Sequence, residues 1–241
     1  MKSLVALALL LSSAVAQAQA ITVSSSSSSP SWGFGGGTAG TVQSNLSHSH
    51  QITGDTYSFN MRGDVTAQMR GTANSFGFQP HSIFALNTGA APVLLSDITV
   101  RYNGKEVVSG GSSATLTAQN YFRAALYAPG FGNDLYHGQY LPLRSAQGVF
   151  IEDVTASLSN TLLAANTQYN LYMDLYSYMI IDSYPSSSSM IGYAVEFGGT
   201  VAPWLDGLTV SFTAQPVPEP ASLLMLGAGV VALLARRRRA G

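Results

Sequence analysis

From Tyr57 to Met69 the odd positions read Tyr57, Phe59, Met61, Gly63, Val65, Ala67 and Met69, and the even ones Ser58, Asn60, Arg62, Asp64, Thr66 and Gln68. Period two sends alternate side chains to opposite faces, which a strand does and a helix does not. The pattern predicts one half-buried strand, or a pair of strands bent at Gly63. It recurs downstream. Ile98, Val100 and Tyr102 alternate with Thr99 and Arg101, and Asn103-Gly104 then predicts a type I′ turn into Lys105 to Val108. Leu116 lies between two threonines, and Tyr193, Val195 and Phe197 alternate again. Leu208, Val210, Phe212 and Ala214 form a last strand that runs almost into Pro216. Between the two ends no stretch holds a long helical period. Several short strands punctuated by Gly, Asn and Pro point to an all-β chain with a single β-sandwich over residues 51–215, jelly-roll or immunoglobulin-like. A barrel satisfies the same pattern, and strand order does not follow from it.

The two ends are built differently. Lys2, the apolar run Leu4 to Val15 and the Ala-Gln-Ala-Gln-Ala that follows have the three regions of a secretory signal peptide over residues 1–20. Cleavage after Ala18 or Ala20 fits the small-x-small rule and starts the mature chain at Gln19 or Ile21. The expected partners at this end are the secretion translocon and signal peptidase. At the other end, Ala221 to Ala235 carry no charge, and fifteen helical residues span roughly 22 Å against a hydrocarbon core of about 30 Å. The transmembrane helix expected there is therefore marginal alone. Arg236, Arg237, Arg238 and Arg239 stop it at the cytoplasmic headgroups. Upstream, Pro216, Pro218 and Pro220 lack amide donors and hold their neighbours extended.

Residues 216–241 resemble the PEP-CTERM sorting domain of Gram-negative bacteria, in the Pro218-Glu219-Pro220 motif, the Ala-Ser after it, the apolar helix with its Gly-x-Gly step and the terminal arginines. The resemblance implies recognition by an exosortase, an integral-membrane cysteine transpeptidase-like enzyme. It makes Pro218, Glu219 and Pro220 recognition elements. The membrane-anchored precursor would be cut near them and passed to the cell surface or an exopolysaccharide matrix.

The end segments take Lys2 and the four terminal arginines from the eleven basic residues, and Glu219 from the twelve acidic ones, so the cargo is left with six against eleven, a net charge of −5. Phosphate affinity needs clustered Lys and Arg, so nucleic acid is not an expected partner. There is no cysteine. An exported chain without disulfides relies on its core, and cysteine nucleophiles and Cys-bearing zinc sites are excluded within this chain.

Ser24 to Ser29, Pro30 and Gly33 to Gly37 are low-complexity, so residues 21–50 read as a flexible Ser/Gly-rich leader, although Ile21 to Val23 would suit a sheet edge. Ser186 to Ser189 after Pro185 read as a loop. Gly110-Gly111-Ser112-Ser113 is not a nucleophile elbow, and no phosphate loop, dinucleotide fingerprint or His-Glu-x-x-His is present. His48 and His50 would share a strand face, but two ligands do not define a metal site, and a solvated pair is the reading. His81 and His137 beside Pro80 and Gly138 read as turn residues. Glu152-Asp153 reads as a bulge or exposed edge, and Asn133-Asp134 as a surface turn. No cofactor and no metal are expected.

From Tyr169 to Ile180 one face carries Tyr169, Leu171, Met173 and Leu175, and the other Asn170, Tyr172, Asp174, Tyr176 and Tyr178. Tyrosine also favours strands with both faces buried. With the aliphatic side inward, a row of tyrosines beside an acid faces out, and flat rings with polar neighbours suit sugars or a protein partner. The expectation is a non-enzymatic surface or matrix protein associated with exopolysaccharide. One rival is a carbohydrate-binding module using Tyr172, Asp174, Tyr176 and Tyr178. The other is a secreted glycan-active hydrolase whose carboxylates meet only in three dimensions.

Overall fold

The computed structural model describes residues 19–36, 40–70, 74–110, 115–128, 133–183 and 190–217, and among these every regular element is a strand. The first six are β1 (Ile21–Ser29), β2 (Trp32–Gly35), β3 (Gly40–Thr53), β4 (Thr56–Arg70), β5 (Ser75–Phe78) and β6 (His81–Thr88). Next come β7 (Val93–Gly110), β8 (Thr115–Tyr127), β9 (Asn133–Tyr140) and β10 (Gly148–Ser157). The last are β11 (Thr161–Leu163), β12 (Gln168–Ser183), β13 (Met190–Phe197) and β14 (Gly207–Pro216). Ala18 and the signal-peptide residues before it lie outside the described residues, as do Ser186 to Ser189, the sorting motif, the apolar tail and the arginine run. No helix among the described residues is long and apolar enough to cross a membrane.

The strands fall into two antiparallel sheets of five lanes each. In the first, β1 and β2 share an edge lane across Pro30, β5 and β6 share the next across Pro80, and then come β12, β8 and β9. In the second the lanes are β3, β4, β13 with β14, β7, and β10 with β11. Rings meet across the gap between sheets: Phe59 and Phe84 lie 5.0 Å apart, Tyr102 stacks on Phe122 at 5.4 Å, and Phe76 meets Tyr193 at 5.9 Å. The two inner faces therefore enclose one core, as in a sandwich. β4 is a single strand with all its odd residues buried, as its alternation predicts.

Three expectations fail, each for a visible reason. The described residues of 21–50 are mostly in β1, β2 and β3, not in a flexible leader. Ile21 is fully buried, and the Tyr57 hydroxyl accepts from its N–H and donates to its carbonyl at 3.1 and 2.9 Å. The serines behind it pair with β6 through backbone groups, which composition does not register. Asn103-Gly104 is not a turn but lies inside β7, paired with Asp153 and Glu152. The glycine is there because the Tyr102 phenol lies over it, where a Cβ would collide. His81 and His137 sit in β6 and β9, not in turns. Glu152 and Asp153 do lie on an edge strand, in unbroken register and without a bulge. The backbone of Asn133 and Asp134 opens β9.

β13 and β14 would form one continuous lane but for an excursion over residues 198–206. It leaves at Gly198 (φ 80°) and returns at Gly207 (φ 81°), both in the left-handed region that favours glycine. Inside the core, Glu106 is 3 % exposed and accepts from the Tyr193 hydroxyl at 2.8 Å. Burial pushes this carboxyl above the usual range, while the Tyr193 bond and the Arg144 charge work the other way. The folded protein thus holds the proton more tightly than the unfolded chain. That contribution is full below the unfolded pKa and disappears as pH rises through the folded one. Glu106→Gln, which keeps the acceptor, is expected to melt higher than wild type at pH 8 and to close on it at pH 4. A wild-type-to-variant difference that is constant with pH contradicts this.

The start of β1 and the end of β14 are neighbours. Ile21 pairs with Thr88, Pro216 pairs with Val93, and Val217 N–H donates to the Pro92 carbonyl at 2.7 Å. The first and last strands finish beside one turn, residues 89–92.

Candidate functional site

The outer face of the first sheet is a tyrosine platform. β12 turns Tyr169, Leu171, Met173 and Leu175 into the core and Tyr172, Asp174, Tyr176 and Tyr178 outward. β8, alternating Tyr121, Arg123, Ala125 and Tyr127, pairs these outward positions with its own. β9 adds Tyr136 and Tyr140. Seven of the eleven tyrosines in the described residues share this face, while Tyr57, Tyr102, Tyr169 and Tyr193 are buried.

The rings support one another. Tyr127 stacks on Tyr172 at 4.7 Å and 19°, and Tyr121 meets Tyr140 at 4.6 Å and Tyr176 meets Tyr178 at 5.8 Å. The Tyr121 and Tyr136 hydroxyls are 2.8 Å apart, over Gly138, where a Cβ would crowd both. Tyr178 donates to Gln119 Oε1 at 2.9 Å, and Gln119 donates on to the Leu141 carbonyl at 3.0 Å. At the centre, Arg123 Nε donates to Asp174 Oδ2 at 2.7 Å, with Nη2 on the same oxygen. Asp174 is 6 % exposed, so this acid is anchored rather than presented. Burial, then the Tyr136 hydroxyl, pushes the Tyr121 phenol up to about 12, and burial, then the Tyr172 hydroxyl, does the same for Tyr127. Both stay neutral through the physiological range. The platform is aromatic, rich in hydroxyls and internally charge-balanced. Tyr136 and Tyr140 are its most exposed rings, at 52 % and 65 %.

Of the residues singled out from sequence, Tyr172, Asp174, Tyr176 and Tyr178 are brought together here. Ala20 lies immediately before β1 and is buried. His48 and His50 point to the seam between the two sheets. His48 Nε2 is 2.9 Å from Ser26 Oγ, and both rings lie edge-on to Phe84 at 5.5 and 6.3 Å. No cluster of three or more metal-ligating side chains occurs among the described residues. Glu152 and Asp153 point to opposite sides of their strand, Glu152 to Arg144 and Asp153 to Arg101. Tyr121, Tyr127, Tyr136 and Tyr140 escaped the sequence reading. The alternation of Tyr121, Arg123 and Tyr127 was the signal for two of them.

The outer face of the second sheet carries a polar network. Arg101 binds Asp153 through Nε and Nη2 at 2.9 and 2.8 Å, and Asp206 through Nη1 at 2.6 Å. Asn60 Nδ2 donates to the Asp206 carbonyl and to Thr209 Oγ1 at 2.6 and 2.8 Å. A concavity of about 610 Å³ opens beside this network, lined among others by His50, Asn60, Arg62 and Asp206. None of these contacts was legible beforehand, because they join residues 52 to 149 positions apart.

An all-β cargo whose last strand runs straight into a proline-rich tail has the form of a protein with a carboxyl-terminal sorting signal. Residues 216–239 match the family described as the PEP-CTERM protein-sorting motif, so the chain carries that signal, which marks an exported protein and implies an exosortase as its processing partner. Pro218, Glu219 and Pro220 and Arg236 to Arg239 lie beyond the described residues, but the match begins at Pro216, the last residue of β14. No curated protein matches the sequence. Among solved structures the chain is similar to a family 16 carbohydrate-binding module at 10 % identity, over 58 % of this chain and 77 % of that one, with a TM-score of 0.20. It is similar to the family 11 module from Clostridium thermocellum in complex with a beta-1,3-1,4-mixed-linked tetrasaccharide, at 10 % identity over 76 % and 87 % with a TM-score of 0.19. The enzymatically active domain of bacteriophage CBA120 tailspike protein 4 gives 6 %, 79 %, 19 % and 0.21. Likeness at this level says nothing of ligand.

Proposed function

We propose that this is a non-enzymatic surface or matrix protein of a Gram-negative bacterium that contacts exopolysaccharide through the tyrosine platform. Its precursor enters the secretion translocon by residues 1–20, loses them to signal peptidase at Ala18 or Ala20, and is held by the apolar helix 221–235 until an exosortase acts. The observation that carries the polysaccharide contact is the gathering of seven tyrosines on one outer face around a self-neutralised Arg123–Asp174 pair. Neutral stacked rings with hydroxyls at their edges offer a hydroxyl-rich chain apolar faces and hydrogen bonds without the cost of burying a charge. The non-enzymatic reading is supported by the engagement of six of the cargo's eleven acids. Asp153, Asp174, Asp206, Glu152 and Glu196 are each paired with a cation, and Glu106 is closed in the core.

The strand order favours the jelly-roll arrangement over the immunoglobulin-like one. From β4 on, successive lanes change sheet at almost every step, only β8 and β9 being neighbours in sequence and in space, so the chain winds around the core in nested Greek keys. An immunoglobulin-like chain keeps more of its consecutive strands hairpin-paired.

Affinity electrophoresis in the host's own exopolysaccharide tests the contact. Each ring contributes on the order of 1 kcal/mol, so Tyr172→Ala/Tyr176→Ala/Tyr178→Ala is expected to lose about a hundredfold in affinity. Retardation equal to wild type by a folded variant overturns the reading.

A further inference from the structure

All six basic side chains of the cargo lie in described residues, and four are held by carboxylates: Arg101, Lys105, Arg123 and Arg144. Arg62 and Arg70 have no ion-pair partner among the described residues. Arg70 is exposed at the end of β4, whereas Arg62 is half-buried in the middle of the second sheet's outer face. Its Nε is buried with no hydrogen-bond partner. The side-chain stem is pinned over two glycines, since a Cβ at Gly198 or Gly207 would stand 3.1–3.2 Å from its Cγ or Cδ. Arg62 also lines two adjoining concavities, the one of about 610 Å³ and another of about 520 Å³ under the 198–206 excursion.

An arginine held in place, half-buried and without an ion pair is an unusual thing for an acidic protein to keep. Asp64, two residues on in the same strand, is bonded instead to Thr200 and Asn45. A buried donor left unmet costs stability. Asp206, the carboxylate in the larger concavity, is occupied by Arg101 and does not serve it. With Nε closed off, the two terminal nitrogens remain as an end-on fork, which matches the two oxygens of a carboxylate. The other walls supply hydroxyls and amides from Ser49, Gln51, Ser58, Asn60 and Thr209, beside the His50 imidazole and the Arg101–Asp206 pair. That lining is suited to a ligand that is both anionic and polyhydroxylated.

We propose that Arg62 is the anion-recognising centre of a second site, on the face opposite the tyrosine platform, that takes a carboxylate-bearing sugar residue of an acidic polysaccharide. It is independent of the platform, and the two faces would let one molecule bridge two glycan chains.

Calorimetry and affinity electrophoresis with polygalacturonate, against neutral dextran, test it. Wild type is expected to prefer polygalacturonate at least tenfold, with binding that weakens as salt rises. Arg62→Gln, which keeps the stem over Gly198 and Gly207, is expected to abolish that preference at an unchanged thermal midpoint. Where glutamine lowers the midpoint, Arg62→Lys keeps the charge and stem but not the fork, and is expected to bind at least several-fold more weakly. The Tyr172/Tyr176/Tyr178 alanine variant is expected to retain the preference, so failure of the platform leaves this site standing. No preference in wild type, undiminished binding by either Arg62 variant, or equal competition by inorganic sulfate at matched ionic strength overturns the proposal.

Discussion

Replacing Pro218, Glu219 and Pro220 together by alanine is expected to leave the protein in the inner membrane as a full-length precursor, with its four terminal arginines still attached. The effect is close to all or none, because it blocks a covalent step rather than weakening a contact. Three alanines raise helix propensity at positions where proline disfavours a helix, so the apolar helix expected over residues 221–235 would run on towards the folded domain and remove the strip a protease reads. The structure sharpens the expectation. Pro216 still pairs with Val93, and Val217 is bonded to Pro92, so the motif starts one residue beyond the sandwich. Mass spectrometry of the carboxyl terminus and fractionation of the cells read the outcome. Release and shortening like wild type would show that the triplet is not the sorting determinant.

Phe59→Ala is expected to destabilise the domain by about 3–5 kcal/mol, a large share of the roughly 5–15 kcal/mol that holds a typical domain together. Phe59 is fully buried and lies 5.0 Å from Phe84 of the facing sheet, 5.7 Å from Phe212 in the neighbouring lane and 6.2 Å from His50. All these neighbours sit on sheets stiffened by their own ladders, so the site collapses little and the cavity remains. Urea unfolding followed by tryptophan fluorescence measures it. A loss below about 1 kcal/mol would mean that the sheets do not meet at this ring.

What could be read in advance follows from the range of the forces involved. β4, β12 and β14 were legible because one face of each is buried, and burial writes period two into Tyr57 to Met69, Tyr169 to Ile180 and Leu208 to Ala214. The serine strand β1 was not, since its pairing uses backbone groups common to every residue and its one strong apolar anchor is Ile21. Asn103-Gly104 misled for the opposite reason. A local turn preference worth little yields to a long strand, and the glycine answers a ring above it. Three of the platform's seven tyrosines were visible as a row on β12. The rest needed the register that sets Tyr121 against Tyr176 and Tyr140 against Tyr121. Arg62 reads as an ordinary polar position in its strand until the lanes around it are assembled. Its lack of an ion-pair partner depends on Asp153 and Asp206 both being committed to Arg101.

The meeting of the start of β1 and the end of β14 beside residues 89–92 bears on how such a precursor matures. A molecule moored by its leader and its tail on one side of a bilayer can complete its sandwich while both lines are still attached, since neither has to be threaded past the other. Cuts at the expected signal-peptidase and exosortase sites would then fall at one pole of the folded domain, in either order.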